Sequence, residues 1–387
     1  MKIRKNDLNR YDGDWPIGLY VHIPFCQSKC RYCGFYSEPL VNYNPERLVS
    51  ALISEFNQKR FLTPLFTIYI GGGSPSCLPE EQLLLLINQI ASICPKTKEF
   101  TIEVNPGQVN DKILNKLHNV GVNRLSIGAQ SFNQDELAFL GRRHTIADIS
   151  RAVSLAKKAG FKNISLDLIF AIPGSSLQSW KHSITVAINS GIQHISAYAL
   201  TYEEDTPMKK ALESGEIEAI DEETDRQMYE KAIDELENAG FKQYEISNFA
   251  KPGFECLHNL NYWANNPYIG IGPAAGSYWN GSRTLNIADI KKYIEAIENN
   301  NNPIAESQSP DKIEIACENA VLNLRRRSGI NLKEYKQRTG FNAMELFAGS
   351  ISKNKKSGLI RVNKNQIYLS AKALPIADSI LCDFSDI

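Results

Sequence analysis

Six short apolar segments recur along the first half of the chain, with stretches of helical periodicity between them, and this alternation constrains the fold more than any other feature. IGLYVHI (17–23), FTIYI (66–70), EFTIEV (99–104), RLSIGA (124–129), ISLDLIF (164–170) and HISAYAL (194–200) read as strands. PERLVSALISEFNQKR (45–60) and EEQLLLLINQIASI (80–93) read as amphipathic helices. Strands joined through helices pair in parallel with right-handed crossovers. The expected class is α/β: a partial (β/α)6 barrel of the TIM type, open on one side. No G-x-G-x-x-G follows the first strand, so a dinucleotide-binding fold has no support. Polar and special residues fall at or just after the C-terminal ends of the predicted strands, where β/α barrels build their sites.

The alternation fails beyond about residue 245. Residues 246–285 are rich in glycine, asparagine and aromatic residues, and residues 287–325 read as helical. Near the end, Val362 and Ile367 flank an Asn-Lys-Asn turn, which predicts a hairpin followed by a helix. The expected organisation is an N-terminal arm (1–16), the partial barrel (17–245), a connecting segment (246–300) and a helical, winged-helix-like C-terminal module (301–387).

Charge narrows the function. Lysine plus arginine (43) equals aspartate plus glutamate (43), which argues against a nucleic-acid binder. The run Arg325-Arg326-Arg327 reads as a solvated helix end. No stretch approaches the roughly 20 apolar residues of a membrane span, and the polar start MKIRKNDLNRYDGDW has no secretory character. A cytoplasmic protein is expected. In that reducing compartment eight cysteines, three of them crowded together, favour a metal over disulfides.

Those three are Cys26, Cys30 and Cys33, in HIPFCQSKCRYCGFYS directly after the first strand. Three thiolates suit an iron–sulfur cluster that leaves one iron without a protein ligand. Structural zinc would want four ligands, commonly as two separated pairs, and no second C-x2-C pair exists. Zinc, with His22 as a fourth ligand, and a disulfide plus a free thiol are the alternatives.

C-x3-C-x2-C after a first barrel strand, with Gly71-Gly72-Gly73-Ser74-Pro75 after the second, resembles the radical S-adenosylmethionine superfamily. The resemblance implies a [4Fe–4S] cluster on Cys26, Cys30 and Cys33 and S-adenosylmethionine on the open iron. It narrows over YVHIPFC, YIGGGSPS, TIEVNPG, RLSIGAQSFN, LGRRH, SLDLIFAIPG and HISAYALTYEEDTP, all similar to the group around oxygen-independent coproporphyrinogen III oxidase. Carried over position by position, Tyr20, Gly72, Gly73, Ser74, Glu103, Gln130, Arg142, Asp167 and Ala199 would contact S-adenosylmethionine.

Two features separate branches of that group. The decarboxylating oxidase has a further cysteine where this chain has Phe35, and a longer N-terminal extension than the 19 residues before Tyr20. His258-Asn259-Leu260-Asn261-Tyr262-Trp263 matches the H-N-x-x-Y-W pattern of the haem chaperone branch. That resemblance implies haem near His258, Tyr262 and Trp263, with His258 as a ligand to the haem iron. One departure is IGIGPAAGSYW (269–279), which has Ala275-Gly276 where many relatives carry a histidine. The implied function is to hold haem and deliver it to acceptor haemoproteins, respiratory ones among them. The alternative is an enzyme: oxidation of coproporphyrinogen III or another radical reaction on a tetrapyrrole.

Overall fold

A computed structural model of the chain describes residues 15–59 and 64–385. Most of the expected N-terminal arm, residues 1–14, lies outside the described residues. The six predicted strands are all present: β1 (Gly18–Ile23), β2 (Thr67–Gly72), β3 (Glu99–Val104), β4 (Arg124–Gln130), β5 (Asn163–Phe170) and β6 (His194–Ala199). Neighbours pair in parallel throughout this run. The crossover helices are α1 (Pro45–Lys59), α2 (Glu80–Ile93), α3 (Asp111–Val120), α4 (Ile146–Lys158) and α5 (Leu177–Asn189). Their starts are written locally. Asn110 caps α3, and Thr145 with Asp148 and Ser176 with Ser179 form capping boxes on α4 and α5.

The sheet does not stop at these six strands. After α6 (Glu222–Asn238), the short β7 (Lys242–Gln243) and β8 (Asn248–Ala250) add antiparallel beside β6. The next segment passes through α7 (Leu257–Trp263) to the other edge. There β9 (Tyr268–Ile271) pairs in parallel with β1, and β10 (Gly276–Trp279), β11 (Ser282–Asn286) and β12 (Ile304–Gln308) continue antiparallel. The result is one twelve-stranded sheet. The glycines of 269–276 serve this packing: Gly270 lies so close to the Gly276 carbonyl that a Cβ would not fit.

The helical region expected over 287–325 is interrupted. It consists of α8 (Ile290–Glu298), then β12, then α9 (Lys312–Leu324). The four asparagines 299–302 and Pro303 end α8, with Asn300 in the left-handed region at φ 56°. The C-terminal module contains α9, α10 (Leu332–Thr339), α11 (Ala348–Lys356) and α12 (Ala377–Cys382) around a three-stranded sheet. Its hairpin places Val362 opposite Ile367, as the turn sequence implied. One contiguous apolar core runs from barrel residues such as Ile102 and Leu125 to Ala316, Ala320 and Leu324 of the module.

The arginine run is not a solvated end. All three residues are half-buried. Ile246 N–H donates to the Arg325 carbonyl (3.2 Å), and Arg327 N–H donates to the Tyr244 carbonyl (3.0 Å), so the module's backbone is stitched to the barrel.

Glu55 of α1 holds the added edge. Its side chain is fully buried and accepts from Gly272 N–H (2.9 Å), Asn286 Nδ2 (2.9 Å), Tyr293 Oη (2.6 Å) and Lys59 Nζ (2.7 Å). Removing one acceptor therefore strands several donors at once. Glu55→Ala should lower unfolding free energy by about 3 kcal/mol or more. Urea unfolding checks this, with Glu55→Gln expected to fall between the variant and the parent.

Candidate cofactor site

The loop after β1 is pinned to the glycine run after β2. Gly73 N–H donates to the Ile23 carbonyl (2.9 Å) and Ser74 N–H to the Phe25 carbonyl (2.7 Å). A Cβ on Gly73 would collide with the Phe25 backbone. Gly72 adopts φ 111° with the His22 imidazole 2.6 Å from where a Cβ would be, so only glycine fits there. This contact brings the half-buried thiols of Cys26, Cys30 and Cys33 and the Gly72-Gly73-Ser74 backbone to one cavity of about 1600 Å³.

The same cavity is lined by Glu103, Gln130, Arg142, Asp167 and Ala199. Gln130 turns in at the end of β4, where a register shift and a φ of 68° break the strand. The Arg142 guanidinium donates to the Gly128 carbonyl (3.0 Å) and lies 3.5 Å from Cys30 Sγ, a cation beside a thiol. Glu103 accepts from Tyr69 Oη (2.8 Å) and Gly72 N–H (3.2 Å). Burial, with Asp167 nearby, pushes its carboxyl up to about 7. Asp167 accepts from the hydroxyls of Ser196 (2.8 Å), Ser126 (3.0 Å) and Ser165 (3.3 Å), and burial raises it as well.

Tyr20 differs from the other expected contacts: it does not line the cavity. Its hydroxyl is 2.9 Å from His22 Nδ1, and His22 Nε2 is 3.0 Å from the Tyr36 carbonyl. A carbonyl can only accept, so Nε2 carries the proton and Nδ1 accepts from Tyr20. Burial holds His22 neutral, consistent with that single proton. Tyr20 thus braces the cysteine loop through His22. The loop's dependence on His22 and Tyr36 was missed from sequence, although His22 alternates in phase with Tyr20 on β1.

The three haem-motif residues are divided. His258 and Tyr262 share one face of α7, with ring centroids 4.7 Å apart, while Asn259 and Trp263 face the cavity. His258 is 1% exposed, stacks on Tyr69 (5.2 Å) and pairs its Nδ1 with Thr67 Oγ1 (2.8 Å). Thr67 and the neighbouring Gly18 begin their strands, so His258 lies at the barrel end opposite the cysteines, roughly 16 Å of strand away. The expected haem-iron ligand is therefore not presented to the cavity. It docks α7, whose first N–H groups, on Leu257 and His258, donate to Glu99 (2.8 and 3.1 Å). Cys256, at the start of the same helix, is a fully buried thiol that lies 3.5 Å from Glu99 Oε1.

The C-terminal module contributes part of the cavity wall. Leu374, Pro375, Ile376 and Ala377 line the cavity, and Arg325 lies over the Trp263 ring (4.8 Å) with its guanidinium 3.3 Å from Asp378. Among the described residues no three or more His, Cys, Asp or Glu side chains are gathered as a single metal ion requires. His22, the fourth ligand of the zinc alternative, has both ring nitrogens in hydrogen bonds, to Tyr20 and to the Tyr36 carbonyl. All eight cysteines are free of disulfides.

Residues 20–187 match the Radical SAM superfamily and residues 311–376 match the HemN C-terminal domain. Over 371 residues the chain is 35% identical to the heme chaperone HemW of Bacillus subtilis, covering 94% of this chain and 98% of that protein. The chain belongs to the HemW family. A second HemW, from Lactococcus lactis, is 33% identical over 95% of this chain and 97% of its own length. The Escherichia coli coproporphyrinogen III oxidase HemN, a radical SAM enzyme, superposes with a TM-score of 0.85. The match covers 98% of this chain and 92% of that one at 20% identity, so the fold is shared. The superfamily match spans the three cysteines, the glycine run, Glu103, Gln130, Arg142 and Asp167, whereas Ala199 and α7 lie beyond it. Among the described residues no helix is long and apolar enough to cross a membrane.

Burial holds His258 neutral, with its imidazole lowered to about 3 from the ordinary 6.5. Below pH 6.5 the unfolded chain binds a proton that the folded chain refuses, so stability falls as pH falls through that window. Between pH 7 and pH 5 this one group accounts for about 2 kcal/mol. His258→Asn should shrink the loss of stability between those pH values by about that amount. Denaturant melts of the cofactor-free protein at both pH values measure it.

Proposed function

We propose that this chain is a haem chaperone: it binds haem and passes it to acceptor haemoproteins in the cytoplasm, with a radical-SAM cofactor site in the same molecule. The observation that carries the haem assignment is the likeness to proteins named heme chaperone HemW over nearly their whole length. The cofactor assignment is supported by the convergence of three thiols, a glycine cradle and two half-buried carboxylates on one cavity.

In this reading Cys26, Cys30 and Cys33 hold a [4Fe–4S] cluster with one iron left open, and S-adenosylmethionine at that iron supplies one-electron chemistry when bound. The chain's own residues orient the cofactor. Bare backbone at Gly72 and Gly73 admits close approach, and Ser74 is fixed by its hydroxyl bond to Gln108 Oε1 (2.8 Å). Glu103 and Asp167 offer acceptors, Gln130 offers an amide, and Arg142 offers positive charge beside Cys30. Ala199 closes the cavity wall at the end of β6. Tyr20 acts at one remove by holding His22, and the α7 residues His258 and Tyr262 act by docking the helix that carries Trp263 into the wall.

Phe35 separates this reading from coproporphyrinogen oxidation. The side chain standing where the oxidase has a further cysteine is 71% exposed at the cavity and cannot ligate or exchange protons. An anaerobic haem titration of the cluster-reconstituted protein, followed by absorbance, tests the proposal. Saturable binding is expected, with no decarboxylation of coproporphyrinogen. Turnover without haem binding would replace the chaperone reading by the enzyme. Cys30→Ala should lose the cluster's visible absorbance and paramagnetic signal, and an intact cluster in that variant would sink the ligand set.

A further inference from the structure

The turn between β7 and β8, residues 244–247, carries a buried carboxylate whose two oxygens are treated unequally. Glu245 is 1% exposed. Its Oε1 accepts from Ser247 N–H (3.0 Å) and from Asn248 Nδ2, whereas its Oε2 has no hydrogen-bond partner. Asn248 is 3% exposed. Its Nδ2 is spent on Glu245, so Oδ1 is the free end of the amide, and that oxygen has no partner either. Both residues line the large cavity. Neighbouring buried acceptors are seldom left unpaired in a folded chain, and this pair calls for a donor from outside it.

The surroundings select the donor. Asn248 stands opposite Ser196 in the pairing of β8 with β6, and Ser196 Oγ donates to Asp167 (2.8 Å). The Tyr198 hydroxyl lies beside Ser196 and Asn248. A carboxylate, an amide oxygen and hydroxyl groups therefore meet on one stretch of wall. Arg325, whose charge reaches Glu245, is tied to the turn only by its backbone: its carbonyl accepts from Ile246 N–H (3.2 Å). Its guanidinium pairs with Asp378 (3.3 Å) and makes no ion pair with Glu245. One negative charge among neutral acceptors suits an ammonium, which brings one positive charge and three N–H donors. A metal ion would find one carboxylate here and no group of three acidic, histidine or thiol ligands among the described residues. Haem is a poor match as well, since its ring nitrogens are bound to iron and carry no hydrogen.

We propose that Glu245 and Asn248 form a binding site for a primary amine, with the ammonium on Glu245 Oε2 and Asn248 Oδ1 and the carbon skeleton along the exposed Tyr198 ring. The site is additional to the cofactor and the haem of the proposed function and rests on neither. Burial raises the Glu245 carboxyl above its ordinary range, with Arg325 opposing. The other groups facing it are the phenols of Tyr198, Tyr229 and Tyr244, all raised by burial and so neutral, while Arg326 bridges it through the backbone. An arriving cation favours the ionised carboxylate, so binding expels whatever proton the empty site holds.

Calorimetric titration of the reconstituted full chain with benzylamine, in two buffers of different ionisation enthalpy, tests the site. Saturable binding with release of protons is expected. Benzyltrimethylammonium has the same charge and no N–H, and should not bind. Glu245→Gln removes the charge but keeps an oxygen for Ser247 N–H, and should raise the benzylamine Kd at least roughly tenfold and abolish the proton release. If that variant does not fold, the comparison of the two ammonium compounds on the parent decides. S-adenosylmethionine also carries a primary ammonium. Saturating it should leave the benzylamine Kd unchanged, and competition would assign the acceptor pair to the cofactor and overturn the separate site. Equal affinity for the two ammonium compounds, or parent-like binding by Glu245→Gln, would overturn it too. An absence of binding by the parent would leave both acceptors to ordered water and end the proposal, with the haem-chaperone reading untouched.

Discussion

The contact on which the site depends is between two backbones. The loop that carries the thiols can reach the second strand only because Gly73 presents no side chain to the Phe25 carbonyl, which then accepts from Ser74 N–H. Any larger residue would force the loop outward and separate the thiols from the Gly72-Gly73-Ser74 backbone across the cavity. The bracing on the far side is as specific: a neutral His22, oriented by Tyr20, ties the loop's return at Tyr36 back to β1. Two strand ends and one histidine thus fix a loop that has only two-residue strands of its own.

The barrel interior below that loop is unusually polar. Arg124, Glu99, Glu103, Asp167 and His194 are all packed among strands whose outer faces are apolar. Each carboxylate is satisfied by several donors, as the three serine hydroxyls on Asp167 show. Such an interior stabilises less than a hydrocarbon core would. It keeps acceptors in place along the cavity wall, and the apolar layer between sheet and helices carries the stability instead.

Much of this was legible in the sequence where the signal is periodic. The six strands, α1 and α2 appear within two residues of their expected ends because burial on both faces of a parallel sheet writes continuous apolar runs. The cysteine and glycine runs were legible because few other purposes need those residues at those spacings. Three things were not. Residues 246–300 looked like a connector because β9 to β11 are only four or five residues long and glycine-rich, yet they extend the sheet past β1. The arginine run looked solvated because its cover, Trp263 and residues 244–246, is remote in sequence. The burial of His258 against Thr67 and Tyr69 was hidden because a motif does not say which end of a barrel its helix caps.

Glu55 has a temporal consequence. Its partner Tyr293 lies 238 residues further along the chain, and Asn286 lies 231. During synthesis at about 5–20 residues per second, roughly ten to fifty seconds separate the emergence of α1 from that of the groups that satisfy its buried carboxylate. The first β/α unit therefore cannot reach its final packing as it leaves the ribosome. Its charged side chain has to stay in water until the last parallel strand arrives to close the sheet on the other side of β1. Long-range closure of this kind makes the barrel a slow, late-completing fold.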